Sequence, residues 1–232
     1  MPTEVDEDLI EVSGWLFGSE ANQQLARQRI GILNDFPHAI RYDAAVGIDP
    51  TMITCGVEYL ILGDDPSYVY DTFSNTFEDI TNEAYTGCLN PNIVLRAPAL
   101  YATSVSSNTQ NVQSLNVIHI CKATLDVMVH DPSLMTISAQ IEDLEKWLRG
   151  GRHSSMDSWR WLDHYLLHEM AHSPLLGTMN SDETGEAYRW DDCVTAKDPA
   201  NPDSLAIYST AARFIAESMK IALDGTVLVS QG

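Results

Sequence analysis

The sequence predicts an α+β fold, mainly helical, carried by one domain over residues 1–232. Three observations point there. Apolar residues recur at helical spacing through residues 1–89 and again from Ile137 onward. Between these stretches, from Asn90 to Cys121, the apolar residues fall in short β-type runs. The hydrophobic fraction of 44% is ordinary for a globular protein, so a chain of 232 residues can bury a core.

Taken in order, residues 9–35 read as a helix. Leu25, Ile30, Ile32 and Leu33 supply apolar positions after Ser19-Glu20, and Pro37 is expected to end the stretch. Residues 51–63 are apolar and read as a buried helix, and Asp64-Asp65-Pro66-Ser67 as a turn. Tyr68 to Glu83 then reads as a further helix, because Tyr70, Phe73, Phe77 and Ile80 recur at helical spacing. That stripe is expected to be core. These helices make up an N-terminal helical part, residues 1–89.

The second part, residues 90–232, opens with the β region. Ile93-Val94-Leu95, Leu100 to Thr103 and Val117 to Cys121 read as short strands, and no other strands are expected. His119 lies inside an apolar run and reads as a packed core residue rather than a ligand. Ile137 to Leu148 is an amphipathic helix, with Ile141, Leu144, Trp147 and Leu148 on one side, and Gly150-Gly151 breaks it. Met156 to Leu167 continues as helix into the motif described below. Ser204 to Leu223 forms the last helix, with Leu205, Ile207, Tyr208, Phe214, Ile215 and Ile221 available for burial.

Charge narrows the partners. The chain has 33 acidic and 13 basic residues, a formal charge of -20. Such a surface repels phosphate backbones and anionic lipid, so neither nucleic acid nor a membrane is an expected partner. No apolar run approaches the ~20 residues that span a bilayer. The acidic start, Met1 to Asp8, lacks the basic and apolar regions of a signal peptide. Four cysteines, Cys55, Cys88, Cys121 and Cys193, include no C-x-x-C pair, so a cysteine zinc knuckle is not expected. Their even number permits two disulfides, with four buried thiols as the competing expectation.

Chemistry enters at His168-Glu169-Met170-Ala171-His172, which is H-E-x-x-H. On a helix, side chains four apart lie about 40° apart around the axis, so both imidazoles can reach one ion. Glu169 points in a neighbouring direction and can serve a zinc-bound water without binding the metal. Zinc lowers the pKa of that water toward ~7, and Glu169 takes the proton as the water attacks a peptide carbonyl. Pro174 stops the helix just past the second ligand. His164 stands one turn earlier, but about 12 Å from His172 along the axis, so a buried supporting role is expected of it.

A zinc ion that keeps a position open for water needs a third protein ligand. Glu217 on a following helix is one candidate. The run after the motif, Gly177 to Tyr188, is richer, with Asp182, Glu183 and Glu186.

These segments resemble the aspzincins, the deuterolysin and peptidyl-lysine metalloendopeptidase family. Its members join H-E-x-x-H to a Gly-Thr…Asp-x-x-Tyr-Gly segment. Gly177-Thr178 matches the opening of that segment, Asp182 lies near the distance of the family's Asp, and Tyr188 matches its Tyr. Asn201-Pro202-Asp203-Ser204-Leu205-Ala206-Ile207-Tyr208 is similar to the segment that opens the family's last helix, and Val117 to Cys121 to a strand upstream. The resemblance covers about residues 117–215.

It implies a mainly helical zincin-like domain with a small β-sheet beside the H-E-x-x-H helix. It implies zinc held by His168, His172 and Asp182, with Glu169 as general base and acid and Tyr188 stabilising the oxyanion. The chain departs from the family in one place. Tyr188 follows Asp182 by six residues rather than three, Gly185 stands where a ligand would be, and Arg189 replaces a Gly. Asp182 ranks first as third ligand for its distance from His172. Glu186 ranks second for its nearness to Tyr188, and Glu183 is the remaining choice. Arg189 is expected to pair with Asp191 or Asp192.

The expectation is therefore a monomeric zinc metallopeptidase acting on a peptide or protein. The resemblance also implies secretion, with the leader not present in this sequence, while the residues alone leave a cytoplasmic location open. Two alternatives stand beside it: zinc as a Lewis acid on a small molecule, and a secreted binding protein with a non-catalytic site. Intact Glu169 weighs against the second.

Overall fold

The computed structural model describes residues 7–39, 51–55, 60–62, 64–65, 67–71, 76–79, 100–105, 115–121, 125–126, 129–130, 141, 154–159, 162–172 and 185–229. Five α-helices and nine short strands lie among these residues, an α+β composition. The chain divides into two compact units, one made of Met1–Asn34, Pro132–Ala171 and Thr178–Gly232, the other of Asp35–Asp131 with His172–Gly177.

In the first unit, helices α1 (Glu7–Phe17) and α2 (Glu20–Ala39) replace the single helix expected over residues 9–35. The break falls at Gly18, whose φ of 69° ends α1 in a conformation that costs glycine nothing. Ser19 restarts the chain, its Oγ accepting from Asn22 N–H at 3.3 Å. Helix α2 runs two residues past Pro37, since a proline in the last turn forfeits only one backbone bond. Two side chains tie α2 down: Asn22 donates to the Lys197 carbonyl at 3.2 Å and Arg29 to that of Pro199 at 2.7 Å.

Helix α3 (Leu162–Ala171), helix α4 (Trp190–Ala196) and helix α5 (Pro202–Ala216) complete the helical part. Helix α5 is the centre of the unit. Pro202 occupies its first turn, where a missing N–H costs nothing. Eleven of its residues are buried, from Pro202 to Ile215, Asp203, Ser204 and Thr210 among them, so it is enclosed nearly all round. It packs against α1, α3 and α4. Phe17 meets Tyr208 edge-on at 5.5 Å, and Trp159 meets Phe214 at 5.9 Å. Phe17 and Phe214 are fully buried, and each such side chain contributes about 1.5–3 kcal/mol.

A small sheet closes the unit. Strand β7 (Ser154–Ser155) pairs with β9 (Thr226–Val229), which pairs with β8 (Met219–Ile221), all antiparallel. The last helix therefore stops at Ala216, short of the expected Leu223. Ser218 at a φ of 63° turns the chain out of the helix, and Met219 and Ile221 reach the core as alternate residues of a strand. Gly225, φ 77°, turns the β8–β9 hairpin beneath Trp190, whose indole donates to the Leu223 carbonyl at 2.8 Å. A Cβ at Gly225 would stand 2.7 Å from Trp190 Cγ, so no larger residue fits there. Asp157 caps α4 from a distance, its Oδ1 accepting from Trp190 N–H at 2.8 Å.

The second unit holds two sheets. In one, β6 (Leu115–Ile120) lies between β1 (Thr51–Cys55), parallel to it, and β5 (Leu100–Val105), antiparallel. In the other, β2 (Leu60–Leu62), β3 (Tyr68–Asp71) and β4 (Thr76–Asp79) form an antiparallel meander. Strands β5 and β6 match the expected β region. The helices expected over 51–63 and 68–83 are corrected to strands, so residues 1–89 are not uniformly helical. Thr51, Ile53 and Thr54 are β-branched and Tyr68, Val69 and Tyr70 aromatic or β-branched, types that fit a pleated surface. The stripe of Tyr70 and Phe77 is a register pair across β3 and β4, not one face of a helix. The turn expected at Asp64–Ser67 is present, with Ser67 N–H bonded to Asp65 Oδ1 at 2.8 Å.

Residues 93–95, the side chain of His119, and Gly150-Gly151 lie outside the described residues. Of the helix expected over 137–148, Ile141 alone is described, and it is helical and buried. Cys193 is a buried thiol rather than half of a disulfide, so the other three cysteines can form one bridge at most.

Candidate metal centre

The site is built on α3. Its last two turns carry His164, His168 and Glu169, all buried, and His172 follows at the C-terminal end. His168, Glu169 and His172 each offer one donor atom, and the three atoms lie within 4.8 Å of one another. This follows from helical spacing: positions four apart stack one turn above the other, and Glu169 flanks them. The group is one that could hold a metal ion.

The ring of His168 is hydrogen-bonded at one nitrogen and faces a carboxylate with the other. Its Nδ1 lies 2.7 Å from Oδ1 of Asp203, in the first turn of α5. Its Nε2 lies 3.8 Å from Oε2 of Glu186. The Tyr188 ring stacks beside it, centroids 6.0 Å apart and planes 26° from parallel. Tyr188 is itself 52% exposed, so one side of the site stays open to solvent. His164 shares the same carboxylate, Nε2 to Asp203 Oδ1 at 3.5 Å, and its Nδ1 faces Thr210 Oγ1 at 3.4 Å. One buried aspartate thus serves two histidines of α3.

Charge follows from these contacts. Burial alone would push the Asp203 carboxyl up. The hydrogen bonds from His164 and His168, and then their charges, outweigh it and hold the group well below the usual carboxylate range. Asp203 is ionised, and it stands near the positive end of the α5 dipole. Burial likewise works against a charged His168, but the bond and charge of Asp203, with Glu169 and Glu186, raise its pKa. For Tyr188, burial, the hydrogen bond to Glu186 and the surrounding carboxylates all push the hydroxyl above its ordinary value. That phenol stays protonated, and so stays a donor.

The imidazoles and carboxylate of His168, Glu169 and His172 are donors of the kind a metal ion takes. Two ligands at ~2.0–2.1 Å from a tetrahedral ion stand roughly 3.3 Å apart; Glu186 Oε2 lies 3.8 Å from His168 Nε2 but is not one of the three grouped donors. With Nδ1 on Asp203, Nε2 is the His168 nitrogen that could face a metal ion. A ligating histidine with a carboxylate behind it is the common arrangement at metal sites.

The structure thus groups His168 with Glu169 and His172, and separately sets Glu186 and Tyr188 beside His168. Asp182 and Glu183 lie outside the described residues. Glu217 does not join the group: it sits just past the end of α5 with Arg213, 3.0 Å away. Arg189 immediately precedes α4 in an extended conformation. Asp203 has no assigned role among the residues that the sequence motif and the resemblance point to. Its signal was there, an acidic residue in the first turn of a helix whose neighbours are nearly all buried. No family model, no curated protein and no solved structure matches this chain.

Proposed function

We propose that this chain is a zinc-dependent peptidase of the zincin kind. The observation that supports it is the grouping of His168, Glu169 and His172, with Asp203 hydrogen-bonded behind the His168 ring and Glu186 facing it. His168 and His172 supply two nitrogens. The third ligand comes from the acidic run 182–186, in which Glu186 is the residue whose position supports the role. Two imidazoles and a carboxylate suit zinc, which takes nitrogen and oxygen donors in tetrahedral sites.

When bound, the ion supplies Lewis acidity, which polarises a carbonyl and acidifies water. The chain's own groups do the rest. Glu169 is buried among the donors and acts as the proton carrier, accepting from water and delivering to the leaving amine. Asp203 keeps the His168 ring in one orientation and one tautomer. Tyr188 offers an O–H that stays protonated, suited to a developing oxyanion. The substrate class is a peptide or protein, approaching from the side where Tyr188 is exposed.

The test is the zinc-loaded chain against a mixed peptide library, beside Glu169→Gln. The parent is expected to cleave peptide bonds. The variant should lose ~10²–10⁴-fold in kcat and bind zinc as tightly as the parent. A zinc-loaded parent that cleaves nothing, indistinguishable from Glu169→Gln, overturns the proposal.

A further inference from the structure

The geometry points to Asn201 as a positioning residue that sets the metal-facing side of His168 by clamping the backbone between Glu186 and Tyr188. The inference rests on reading Glu186 as a metal ligand.

Asn201 is the residue before α5 and is buried. Its Oδ1 accepts from Ala187 N–H at 3.1 Å, and its Nδ2 donates to the Ala187 carbonyl at 3.0 Å. One amide side chain therefore pairs both backbone groups of one residue, as a neighbouring strand would. The same Nδ2 lies 2.9 Å from Ser204 Oγ and 3.5 Å from Cys193 Sγ. The Cys193 thiol donates in turn to the Ala187 carbonyl at 3.3 Å. The clamp is thus anchored on α4 and α5.

Residues 185–188 form neither helix nor strand, so no regular backbone ladder fixes them. Gly185 opens the segment at a φ of 73°. Ala187 stands between Glu186 and Tyr188, and both of these reach His168, so pinning the Ala187 backbone holds the two together. Asn201 also stands two residues before Asp203. One short stretch at the start of α5 then governs both sides of the ring: Asp203 its orientation, Asn201 the carboxylate opposite.

The experiment measures Zn²⁺ affinity on the full chain by competition with a chromophoric chelator, and the visible absorption of the Co²⁺-loaded protein. The proteins are the parent, Asn201→Ala, Glu186→Gln and the double variant. Asn201→Ala is expected to weaken zinc binding ~10–100-fold, and Glu186→Gln, as a lost ligand, about 10²–10³-fold. The double variant should bind within about twofold of Glu186→Gln, because the two act in series. The Co²⁺ spectrum of Asn201→Ala should move toward that of Glu186→Gln.

If Glu186→Gln is weakened while Asn201→Ala binds as the parent does, the positioning role fails and the ligand reading stands. Losses that multiply in the double variant mean that Asn201 acts on the fold in general, and the inference fails again. If Glu186→Gln binds zinc as the parent does, the ligand reading fails and takes the positioning role with it. Should circular dichroism show Asn201→Ala unfolded, Asn201→Asp carries the same comparison. It keeps the acceptor for Ala187 N–H and loses the donor.

Discussion

Two parts of the same site are made in different ways. On α3, His168, Glu169 and His172 converge because helix geometry puts them together, and no other part of the chain is needed. Glu186 and Asp203 converge on His168 because α5 packs against α3 and because residues 185–188 are held beside it. The first set is a local property of five residues. The second is a property of tertiary packing between positions 17 residues and more apart. The difference teaches where a change should be absolute and where it should be graded.

The sharpest break in the comparison is His172→Ala. Structural zinc sites bind with about 10–16 kcal/mol over four ligands, so one ligand carries roughly 2.5–4 kcal/mol, or about 10²–10³-fold in affinity. His172 is part exposed at the end of α3 and outside the buried stripe, so the fold should survive its loss. Zinc titration by calorimetry is the check. The expected outcome is loss of tight binding with the thermal melt of the metal-free chain unmoved. Binding at parental affinity would remove His172 from the ligand set and sink the helix-based half of the site.

Asp203→Asn probes the packed half. The amide keeps the size and one acceptor but gives up the charge behind His168 and shared with His164. The ring should lose its fixed tautomer, and zinc affinity should fall ~10–100-fold, less than for a lost ligand. A parallel measurement on His164→Gln separates the two histidines. If Asp203 acts on the metal through His168, the His164 change costs less. Equal losses would mean that Asp203 serves the α3–α5 contact as a whole.

This division also explains what could be read from the chain. The H-E-x-x-H residues were legible because their spacing is their geometry. Strands β5 and β6 were legible from short β-branched runs with turn residues around them. The stretch 51–79 misled because Tyr70, Phe73, Phe77 and Ile80 satisfy helical spacing by count, while the hairpin pairs Tyr70 with Phe77 across two strands. Short apolar runs carry too few residues to separate the two periods. The break at Gly18 and the strand at Met219–Ile221 depended on single residues taking positive φ, at Gly18 and Ser218. Asp203 could be quoted as part of a resembling segment but not given a role. Its role depends on which helix α5 packs against, and no spacing along the chain states that.

The smallest effect sharpens the comparison most, because Tyr188 belongs to neither half alone. It stacks on His168 from the helix and bonds Glu186 from the held segment. Tyr188→Phe keeps the ring and removes the hydroxyl. Removing an oxyanion donor from a closed site typically costs ~10²–10³-fold in kcat. Tyr188 is half exposed, and solvent screens what it can contribute, so a loss of roughly tenfold in kcat with KM little changed is expected. Zinc affinity should stay near parental, since the phenylalanine ring still stacks and Asp203 still holds the ring from behind. A fall in zinc affinity with kcat preserved would assign the hydroxyl to orienting Glu186 instead. In that case Tyr188 is part of the packed half, and the oxyanion needs another donor.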